Sequence, residues 1–383
     1  MGGESVVASG QGPLAGIRVL ELGGIGPGPF CGMMLGDMGA DVIRIDRPGR
    51  PSHPVLQRNR RSLAINLKAP EGASAVRRLA NTCDAVLEGF RPGVAERLGL
   101  GPDDLRDDNP ALVYGRMTGW GQDGPLARQP GHDINYIAIT GALHAIGSPD
   151  DPFPPLNLIG DFAGGGMLLA WGLACALLRA KISGQGQVVD AAMVDGTAAL
   201  MAMTYGLLAT GQWQDRRAVN RLDGGAPFYR VYRCADGKHM AIGCLEPEFF
   251  SAFLKVLALT DDPDFSEQNN RNAWPAMHAR LADIFATRCR DEWADLFAGT
   301  EACATPVLTL HEAPRYSHNV ARGTYQTTGI IQPMPAPRFG TTPAAQPRPA
   351  PPPGAHTREV LAEAGLPDPE IQDLITAGTA TQG

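Results

Sequence analysis

The sequence predicts an α/β protein with a parallel β-sheet, because short apolar runs alternate with helix-compatible segments along its first half. Five runs rich in Val, Ile and Leu have the length and composition of buried strands: 17–22, 41–46, 62–66, 84–89 and 112–118. Segments compatible with helices lie between them at 28–39, 70–81 and 92–98. This alternation is typical of right-handed β-α-β units, so we expect the strands to lie parallel in one sheet.

Two apolar helices are predicted to follow these strands. A long one begins after Asp161, from about residue 163, and stops near "SGQG" at 183–186, where two glycines provide a helix stop. Residues 187–211 begin as a strand or a helix and continue as a second apolar helix. Of these two segments, the first contains an apolar run that we expect to be buried.

The second half of the chain has a different pattern, with a polar connection followed by a smaller α+β region. Residues 228–244 contain two strand-like runs around "DG" and predict a hairpin, and 247–300 predicts two or three amphipathic helices. Dense proline at 333–353 predicts an extended segment. We therefore divide the chain into a large domain at 1–210, a linker at 211–227, a small domain at 228–325, and a Pro-rich return segment with the rest of the large domain at 326–383.

Composition excludes several classes of protein. The 383 residues are 44% hydrophobic and 19% charged, which is typical of a globular chain and not of a disordered one. A formal net charge of −7 argues against a general nucleic-acid binder. The seven cysteines form no CxxC pair and no metal-ligand spacing with histidine, so we expect no metal site and reduced thiols in a cytoplasmic protein.

The sequence also predicts no membrane insertion. The N-terminal residues lack the charged and apolar regions of a secretory signal. The longest apolar run, 167–178, has 12 residues. A bilayer-spanning helix needs about 20, so we expect this run to be part of a buried helix.

The glycine-rich segment after the first strand, "LELGGIGPGP", is similar to a dinucleotide-binding turn but has the wrong spacing. Gly24 and Gly26 would need a third Gly or Ala at position 29, which is Pro29. Pro27 removes a backbone N–H that a pyrophosphate would need. We therefore expect no dinucleotide here, and Asp46 at the end of the second strand loses its role as a ribose ligand.

Basic residues cluster where the predicted strands end: Arg44, Arg47, Arg58, Arg60, Arg61, Lys68, Arg91 and Arg97. Ligands of open α/β sheets bind outside the carboxyl ends of the strands. A guanidinium suits phosphate because it donates two parallel hydrogen bonds. A solvated basic rim explains any single arginine, whereas the set as a whole is equally consistent with a phosphate-rich ligand such as coenzyme A.

Asp161 lies in "LIGDFAGGGM", directly before the predicted long helix. One interpretation is a plain N-cap. The alternative comes from Gly164, Gly165 and Gly166, which each cost roughly 1 kcal/mol of helix propensity relative to Ala. Close approach of a ligand to the helix start would explain them. Backbone N–H groups at that start would then stabilise a developing oxyanion.

His132 and Glu246 are two further candidates, each with a structural alternative. In "GHDINY", Asp133 has the chemistry of a helix cap, which leaves His132 either as its neighbour or as an acid–base group. We interpret Asp133 as the residue that holds the turn. Glu246 precedes Pro247 and is either a carboxylate at a helix start or a partner that orients His132 and raises its basicity.

Several long motifs occur in order along nearly the whole chain: "PLAGIRVLELGGIGPGPFCGMMLGDMGADVIRIDRP", "NRRSLAINLK", "RPGVAERLGLGP", "RMTGWGQDGP", "GHDINYIAITGALHAIG", "LIGDFAGGGM", "GQGQVVDAAMVDG" and "LDGGAPFYRVYRCADGKHMAIGCLEPEFF". Together they resemble the class III coenzyme A transferase superfamily and, within it, the alpha-methylacyl-CoA racemases. The resemblance implies a Rossmann-like large domain, a smaller domain and a homodimer of interlocked subunits. The Pro-rich segment would return the C-terminal tail to the large domain.

The resemblance also implies the residues of the active site. His132 and Asp161 would lie on opposite faces of the substrate α-carbon, with Glu246 paired to His132. Coenzyme A, as part of the substrate, would contact Arg44, Ile65, Asn66, Leu67, Lys68, Gly89, Phe90, Arg91, Arg97, Gly131, Asp133, Ile134, Asn135 and Tyr136. No separate cofactor and no metal is expected.

Inverting a 2-methylacyl thioester needs one group to remove the α-proton and another to deliver a proton to the opposite face, which fits His132 and Asp161. A coenzyme A transferase would instead use Asp161 as a nucleophile and pass through an aspartyl thioester. A non-catalytic acyl-CoA binding protein would need only the basic cluster. Neither alternative requires His132 together with Asp161, so the sequence favours the racemase.

Overall fold

The computed structural model describes residues 11–47, 53–344 and 346–383. Residues 1–10, to which the sequence assigns no secretory signal, lie outside the described residues. The chain forms two compact units, here called unit 1 and unit 2. Unit 1 contains the described parts of 1–140, 156–201 and 328–383, and unit 2 contains 141–155 and 202–327. The domain limits given above stay predictions, because compactness alone does not show independent folding.

The strands of the described residues, in chain order, are β1 Arg18–Glu21, β2 Asp41–Asp46, β3 Arg60–Ile65, β4 Ala85–Glu88, β5 Val113–Thr118, β6 Val188–Ala192, β7 Tyr229–Arg233, β8 His239–Gly243, β9 Ala304–Pro306, β10 Tyr325–Gln326, β11 Gln332–Pro333 and β12 Ala380–Thr381.

The α-helices, in the same order, are α1 Pro27–Asp37, α2 Pro70–Ala80, α3 Val94–Arg97, α4 Pro102–Asp108, α5 Asp133–Ala138, α6 Ala142–Ala145, α7 Leu168–Ser183, α8 Met193–Leu200, α9 Ala202–Ala209, α10 Pro247–Val256, α11 Trp274–Phe285, α12 Arg290–Phe297, α13 Ser317–Arg322, α14 Thr357–Glu363 and α15 Asp368–Thr376. A π-helix at Leu158–Met167 and short 3₁₀ turns at Pro263–Phe265 and Ala313–Arg315 complete the set.

Unit 1 is built on a seven-stranded sheet in the order β12-β3-β2-β1-β4-β5-β6. Six strands are parallel, and only β12 runs antiparallel, beside β3. The α/β class with a parallel sheet is therefore confirmed, as are the five predicted strands. The order 3-2-1-4-5-6 reverses direction between β1 and β4, and ligands of such sheets bind at the carboxyl ends beside that point.

The apolar runs form strands because both faces of the sheet are covered. Each of the central strands β1, β4 and β5 is almost wholly buried. One face packs against α2, α14 and α15, and the other against α1 and α7, giving two separate apolar clusters. A parallel sheet covered on both sides explains why these strands are apolar throughout and do not alternate with polar residues.

The helix that carries Asp161 begins earlier than predicted. A π-helix starts at Leu158 and continues into α7, so the helical segment runs from Leu158 to Ser183. Asp161 is therefore its fourth residue, and both the N-cap interpretation and the expected helix start after Asp161 are wrong. Asn157 occupies the cap position. The expected oxyanion site at a helix start after Asp161 therefore loses its basis, because the helix starts three residues earlier.

The three glycines of this helix lie against protein atoms, which accounts for them without the ligand approach that was expected. A Cβ on Gly166 would lie 2.5 Å from the carbonyl oxygen of Pro27, and one on Gly164 would lie 2.8 Å from the amide nitrogen of Thr197. All three glycines are buried. They allow α1 and α8 to pack directly on the π-helix, and this packing offsets their low helix propensity.

Within the described residues, the segment Leu158–Ser183 is long and apolar enough to cross a membrane by length and composition, and 44% of its most apolar window is buried. It packs against β5 and β6 in the sheet of unit 1. Its continuous length of 26 residues combines the π-helix with α7 and includes the 12-residue apolar run seen in the sequence. A core helix of a globular fold passes the same test.

Unit 2 has its own apolar core. The predicted hairpin is confirmed as β7 and β8, which pair antiparallel, and β9 adds a third strand. Three helices, α10, α11 and α12, occupy the region predicted for two or three. Stacked aromatic rings form the centre of the core, with Phe285 contacting Tyr232, Phe253 and Phe297.

Three of the clustered arginines form ion pairs with carboxylates of the protein itself. Arg58 is buried and forms an ion pair with Asp37. Arg60 is buried against Glu21. Arg61 binds Asp41, Glu359 and Glu363. The basic cluster predicted from strand ends is therefore smaller than the sequence indicates.

Candidate active site

Asp161 lies near the carboxyl end of β1, beside the loop that precedes α1. Its carboxylate faces Gly26, where a Cβ would lie 3.1 Å from Oδ2. Gly26 has a φ of 64°, which glycine adopts without strain. Asn157, one turn earlier in the helix, donates a hydrogen bond from Nδ2 to Oδ2 at 3.0 Å. The carboxylate is thus half-buried between a glycine turn and an amide.

The environment of Asp161 favours its protonated form. Burial raises the pKa of this carboxyl above its usual value, and the negative charge of Asp133 raises it further. The hydrogen bond from Asn157 and the charge of His132 act in the opposite direction. Because the net shift is upward, Asp161 keeps its proton to a higher pH than an ordinary exposed aspartate does.

His132 occupies the N-cap position of α5, and this corrects the suggestion that Asp133 is the cap. The backbone N–H of His132 donates to Oδ1 of Asn135 at 3.0 Å, which fixes the start of the helix. The histidine side chain is exposed, and its charge acts on the carboxyl of Asp161. Because His132 directly precedes Asp133, whose carboxylate accepts the Asp161 backbone N–H, the two predicted acid–base residues lie in the same region of unit 1. Their roles stay predictions.

The rest of the 131–136 turn is held by Asp133 and Tyr136. Asp133 is buried and accepts a hydrogen bond from the backbone N–H of Asp161. The Tyr136 hydroxyl donates to the carbonyl of Gly131, and its ring packs edge-on against Trp120 with centroids 4.7 Å apart. Ile134 is 45% exposed. A rigid turn with an exposed outer side is suited to contact a ligand.

The loop after β4 comes close to this turn. Gly89 and Arg91 are exposed, and the backbone N–H of Phe90 donates to Glu88 at 2.6 Å. Burial and the charge of Asp161 raise the pKa of Tyr136, while the positive charge of Arg91 opposes that shift. Arg91 therefore adds positive potential near the acid–base pair.

A second group of predicted residues lines a basic pocket of about 480 Å³ in unit 1. Its residues are Leu67, Lys68, Pro70, Ala73, Ser74, Arg77, Arg97, Leu98 and Gly99. Arg77 is ion-paired with Asp108 at 2.6 Å. Lys68 and Arg97 have no ion pair within the described residues. The pocket thus offers two cations for an anionic ligand.

Of the remaining predicted contacts, two are buried and one is exposed. The Ile65 side chain is 1% exposed and packs in the core, while Asn66 is exposed and its Oδ1 accepts from the backbone N–H of Lys68. Arg44 is 8% exposed and pairs with Asp46 at 2.6 Å. Asp46 also accepts from the Ser62 hydroxyl, so the structure gives this carboxylate protein partners.

Glu246 belongs to unit 2, where it is the N-cap residue of α10. It is exposed and lines a pocket of about 710 Å³. The other lining residues are Met203, Leu207, Gly211, Gln212, Trp213, Arg221, Leu222, Leu245, Pro247 and Arg271. The pocket is mostly apolar with two guanidinium groups. The pairing of Glu246 with His132 stays a prediction.

Sequence reasoning missed Asn157 and Gly26. Asn157 precedes Asp161 by four residues, a spacing that brings side chains together on a helix. That signal was hidden because the helix was predicted to begin after Asp161. Across residues 11–47, 53–344 and 346–383, no group of three or more His, Cys, Asp or Glu side chains is arranged to hold a metal.

Comparison with known proteins is consistent with this geometry. The family described as CoA-transferase family III matches residues 14–357. Alpha-methylacyl-CoA racemase of Mus musculus is 46% identical over 365 residues, 94% of this chain and 96% of that protein. The racemase of Homo sapiens is 46% identical over 366 residues, with the same shares. Succinyl-CoA–D-citramalate CoA-transferase of Chloroflexus aurantiacus is 31% identical, covering 94% of this chain and 96% of its own.

Solved structures share the fold. A CAIB/BAIF family protein from Brucella suis superposes with a TM-score of 0.79 at 25% identity, covering 92% of this chain and 100% of that one. A hypothetical protein from Mycobacterium tuberculosis gives 0.77 at 28% identity, covering 92% and 99%. Both support the mixed α/β architecture with a parallel central sheet.

Proposed function

Because the chain belongs to CoA-transferase family III, we propose that it is an alpha-methylacyl-CoA racemase that inverts the α-carbon of 2-methylacyl-CoA thioesters. The observation that carries this proposal is that a half-buried Asp161 is joined through its backbone N–H to Asp133, the residue directly after His132. Identity of 46% to two proteins named as such racemases supports it. The reaction needs two acid–base groups, and the site supplies two.

The mechanism transfers one proton at each face of the α-carbon. Neutral His132 takes the α-proton from one epimer, the C–H electron pair moves into the thioester, and an enolate forms. The O–H bond of protonated Asp161 then breaks and its proton goes to the opposite face of the α-carbon. His132 is left as imidazolium and Asp161 as carboxylate. In the reverse direction Asp161 is the base and imidazolium is the acid.

Two relatives named as alpha-methylacyl-CoA racemases, each 46% identical to this chain, support the racemase over the transferase. Burial shifts the pKa of Asp161 upward, which suits a group that gives up and takes back a proton. Transfer of coenzyme A to a carboxylic acid is the alternative outcome that the test below distinguishes.

Glu246 is proposed as the partner of the histidine. A carboxylate beside one ring nitrogen of His132 would orient the imidazole and raise its basicity. The Glu246 side chain is exposed, and within the described residues its carboxylate accepts no hydrogen bond, so it is available for this role. Replacing Glu246 with Gln would keep the size of the side chain and remove the charge, so the alkaline limb of the pH profile is the readout of this pairing.

A dimer is proposed as the working form. Four large apolar side chains form one stripe along the helix 158–183, with exposures of 49% for Met167, 66% for Trp171, 64% for Leu178 and 71% for Ile182. Patches of this kind mark interaction surfaces. We propose that a second copy of this chain covers this stripe, because the family resemblance implies interlocked subunits. Light scattering giving twice the chain mass would support it, and the chain mass would contradict it.

The protein is proposed to act in the cytoplasm. All seven cysteines are free thiols, and Cys31, Cys83, Cys234 and Cys244 are buried. Reduced, buried thiols are typical of a reducing compartment. Cell fractionation tests this location, which an extracellular or membrane-bound pool would contradict.

The basic pocket is proposed to bind the phosphates of coenzyme A. We expect Lys68→Ala and Arg97→Ala each to raise KM for acyl-CoA about tenfold or more with kcat unchanged, because a charge-assisted hydrogen bond is worth roughly 1.5–3 kcal/mol. The matched control is an acyl-pantetheine thioester, which lacks the nucleotide. The KM for this thioester should be the same in wild type and in either variant. An equal rise in its KM would mean that Lys68 and Arg97 do not act on the nucleotide phosphates.

The experiment that tests the function is incubation of one epimer of a 2-methylacyl-CoA with the protein in D₂O. We expect deuterium to enter the α-position and the epimers to approach an equal mixture. Absence of exchange, together with Asp161-dependent transfer of coenzyme A to an added carboxylic acid, would replace the racemase by the transferase. Binding of acyl-CoA with neither reaction would leave a binding protein.

A further inference from the structure

Asp133 holds the backbone of Asp161 across 28 positions of sequence. Its Oδ2 accepts a hydrogen bond from the Asp161 backbone N–H at 2.7 Å. The Asp133 side chain is 6% exposed, and its other oxygen, Oδ1, is buried with no hydrogen-bond partner within the described residues. A buried carboxylate oxygen without a partner costs free energy. A helix cap does not explain it, because His132 occupies the cap position.

The space around this carboxylate is kept open by a glycine. A Cβ on Gly160 would lie 2.6 Å from Oδ2 of Asp133 and 3.2 Å from Ile137. Any larger residue at 160 would push the carboxylate away from the Asp161 backbone. The contact therefore depends on the residue directly before Asp161 in the π-helix.

We propose, on the basis of the racemase function above, that Asp133 is a positioning residue whose buried carboxylate acts through Asp161, fixing the backbone that presents the proton-donating carboxyl. The contact ties α5, which begins beside His132, to the π-helix that carries Asp161. One side chain thus sets the spacing of the two acid–base groups. A misplacement of 1 Å can cost on the order of 10²-fold in rate, so such a link has a large effect on turnover.

The negative charge of Asp133 has a second consequence for the same carboxyl. It raises the pKa of Asp161, in the same direction as burial. Asn157 and His132 act against it. The pKa of Asp161 thus responds to its burial and to three neighbouring side chains: Asp133, Asn157 and His132. Asp133 therefore places the backbone of Asp161 and also favours its protonated form.

Asp133→Asn tests the charge, because Asn keeps an oxygen that accepts the Asp161 N–H. The acid limb of kcat/KM against pH reports the group that must lose its proton first, which is mainly Asp161. Without the negative neighbour its pKa falls, so we expect the acid limb to move to lower pH. Asp261→Asn, which removes an exposed carboxylate in unit 2, should leave the limb where it is.

Asp133→Ala tests the position, because it removes both acceptor and charge. We expect kcat/KM to fall on the order of 10²-fold. When Asp161→Asn is already present, adding Asp133→Ala should lower the remaining rate of α-proton exchange only slightly. The effects of residues that act as a unit are not additive. Gly160→Ala is the second route, since it displaces the Asp133 carboxylate and leaves that residue in place. We expect a loss similar to that of Asp133→Ala.

An unshifted acid limb in Asp133→Asn would overturn the proposal. So would a full, additive loss from Asp133→Ala in the Asp161→Asn background. Both outcomes are interpreted only if the wild-type protein exchanges the α-proton of the substrate. If wild type does not exchange, the proposed function fails first, and the two failures are thereby distinguished.

Discussion

Asp161→Asn and His132→Ala each lose inversion of the α-carbon, and we expect the loss to be at least about 10²–10⁴-fold, the range typical of a positioned acid–base group. Asn keeps the shape of Asp161 and its contact with the Asn157 amide but carries no transferable proton. Ala at 132 removes the imidazole while the His132 backbone N–H, which fixes the start of α5, remains. Both variants should therefore fold.

The two variants should differ in what they retain. With Asp161 replaced, His132 is still able to remove an α-proton and return a deuteron to the same face. Exchange should then persist for one epimer, without inversion. With His132 replaced, Asp161 should support exchange of the opposite epimer. Mass spectrometry combined with chiral separation of the acyl product measures both.

Two outcomes would contradict the two-base mechanism. One is inversion near the wild-type rate in either variant. The other is exchange of the same epimer in both, which would mean that one further group serves that face. Circular dichroism of each variant against wild type gives the control for folding.

The strands of the sheet were predicted well because the residues that specify each strand are close together in the sequence. Val, Ile and Leu runs between turn residues specify buried strands, and β1 to β5 formed where expected. The alternation with helices then leaves few topologies, since β-α-β crossovers are right-handed. The hairpin of unit 2 is fixed by two strand-like runs around a tight turn, and it was also predicted.

The long helix was predicted with the wrong start because its signals conflict. Gly164 to Gly166 lower helix propensity, and Asp161 has the chemistry of a cap. The cost of the glycines is offset by close packing on α1 and α8, which no local pattern contains. A Cβ on Gly196 would clash with the carbonyl of Gly164, which shows how closely α8 approaches the π-helix.

His132 and Asp161 were candidates from their local sequence, and the resemblance implied them as a pair, but the contacts around them were not predicted. Asp133 and Asp161 are far apart in sequence, and their hydrogen bond joins a side chain to a backbone N–H. Only the folded chain shows that contact. The same reason explains the arginines near residue 60, because their carboxylate partners come from other strands and helices. A strand-end position alone does not separate a phosphate ligand from an ion pair.

Arg58→Met should destabilise unit 1 by about 3–5 kcal/mol, the cost typical of leaving one member of a buried ion pair without its partner. Arg58 is 1% exposed in its side chain and Asp37 is 5% exposed. The guanidinium donates to both oxygens of Asp37, and also to Gln332 and to the carbonyl of Pro333. It thereby joins α1 to the returning C-terminal segment of the same unit.

Chemical denaturation followed by circular dichroism measures this loss. The matched control is Arg78→Met, which removes a pair with Glu370 that is 40% and 46% exposed. Exposed pairs contribute about 0–1 kcal/mol, so the control should change stability far less. Adding Asp37→Leu to Arg58→Met should recover part of the loss, because no buried charge is then left without a partner. If Arg58→Met and Arg78→Met lower stability equally, the prediction is wrong. The Asp37 carboxylate would then gain water or another partner once Arg58 is removed, and burial of the ion pair would not determine the loss of stability.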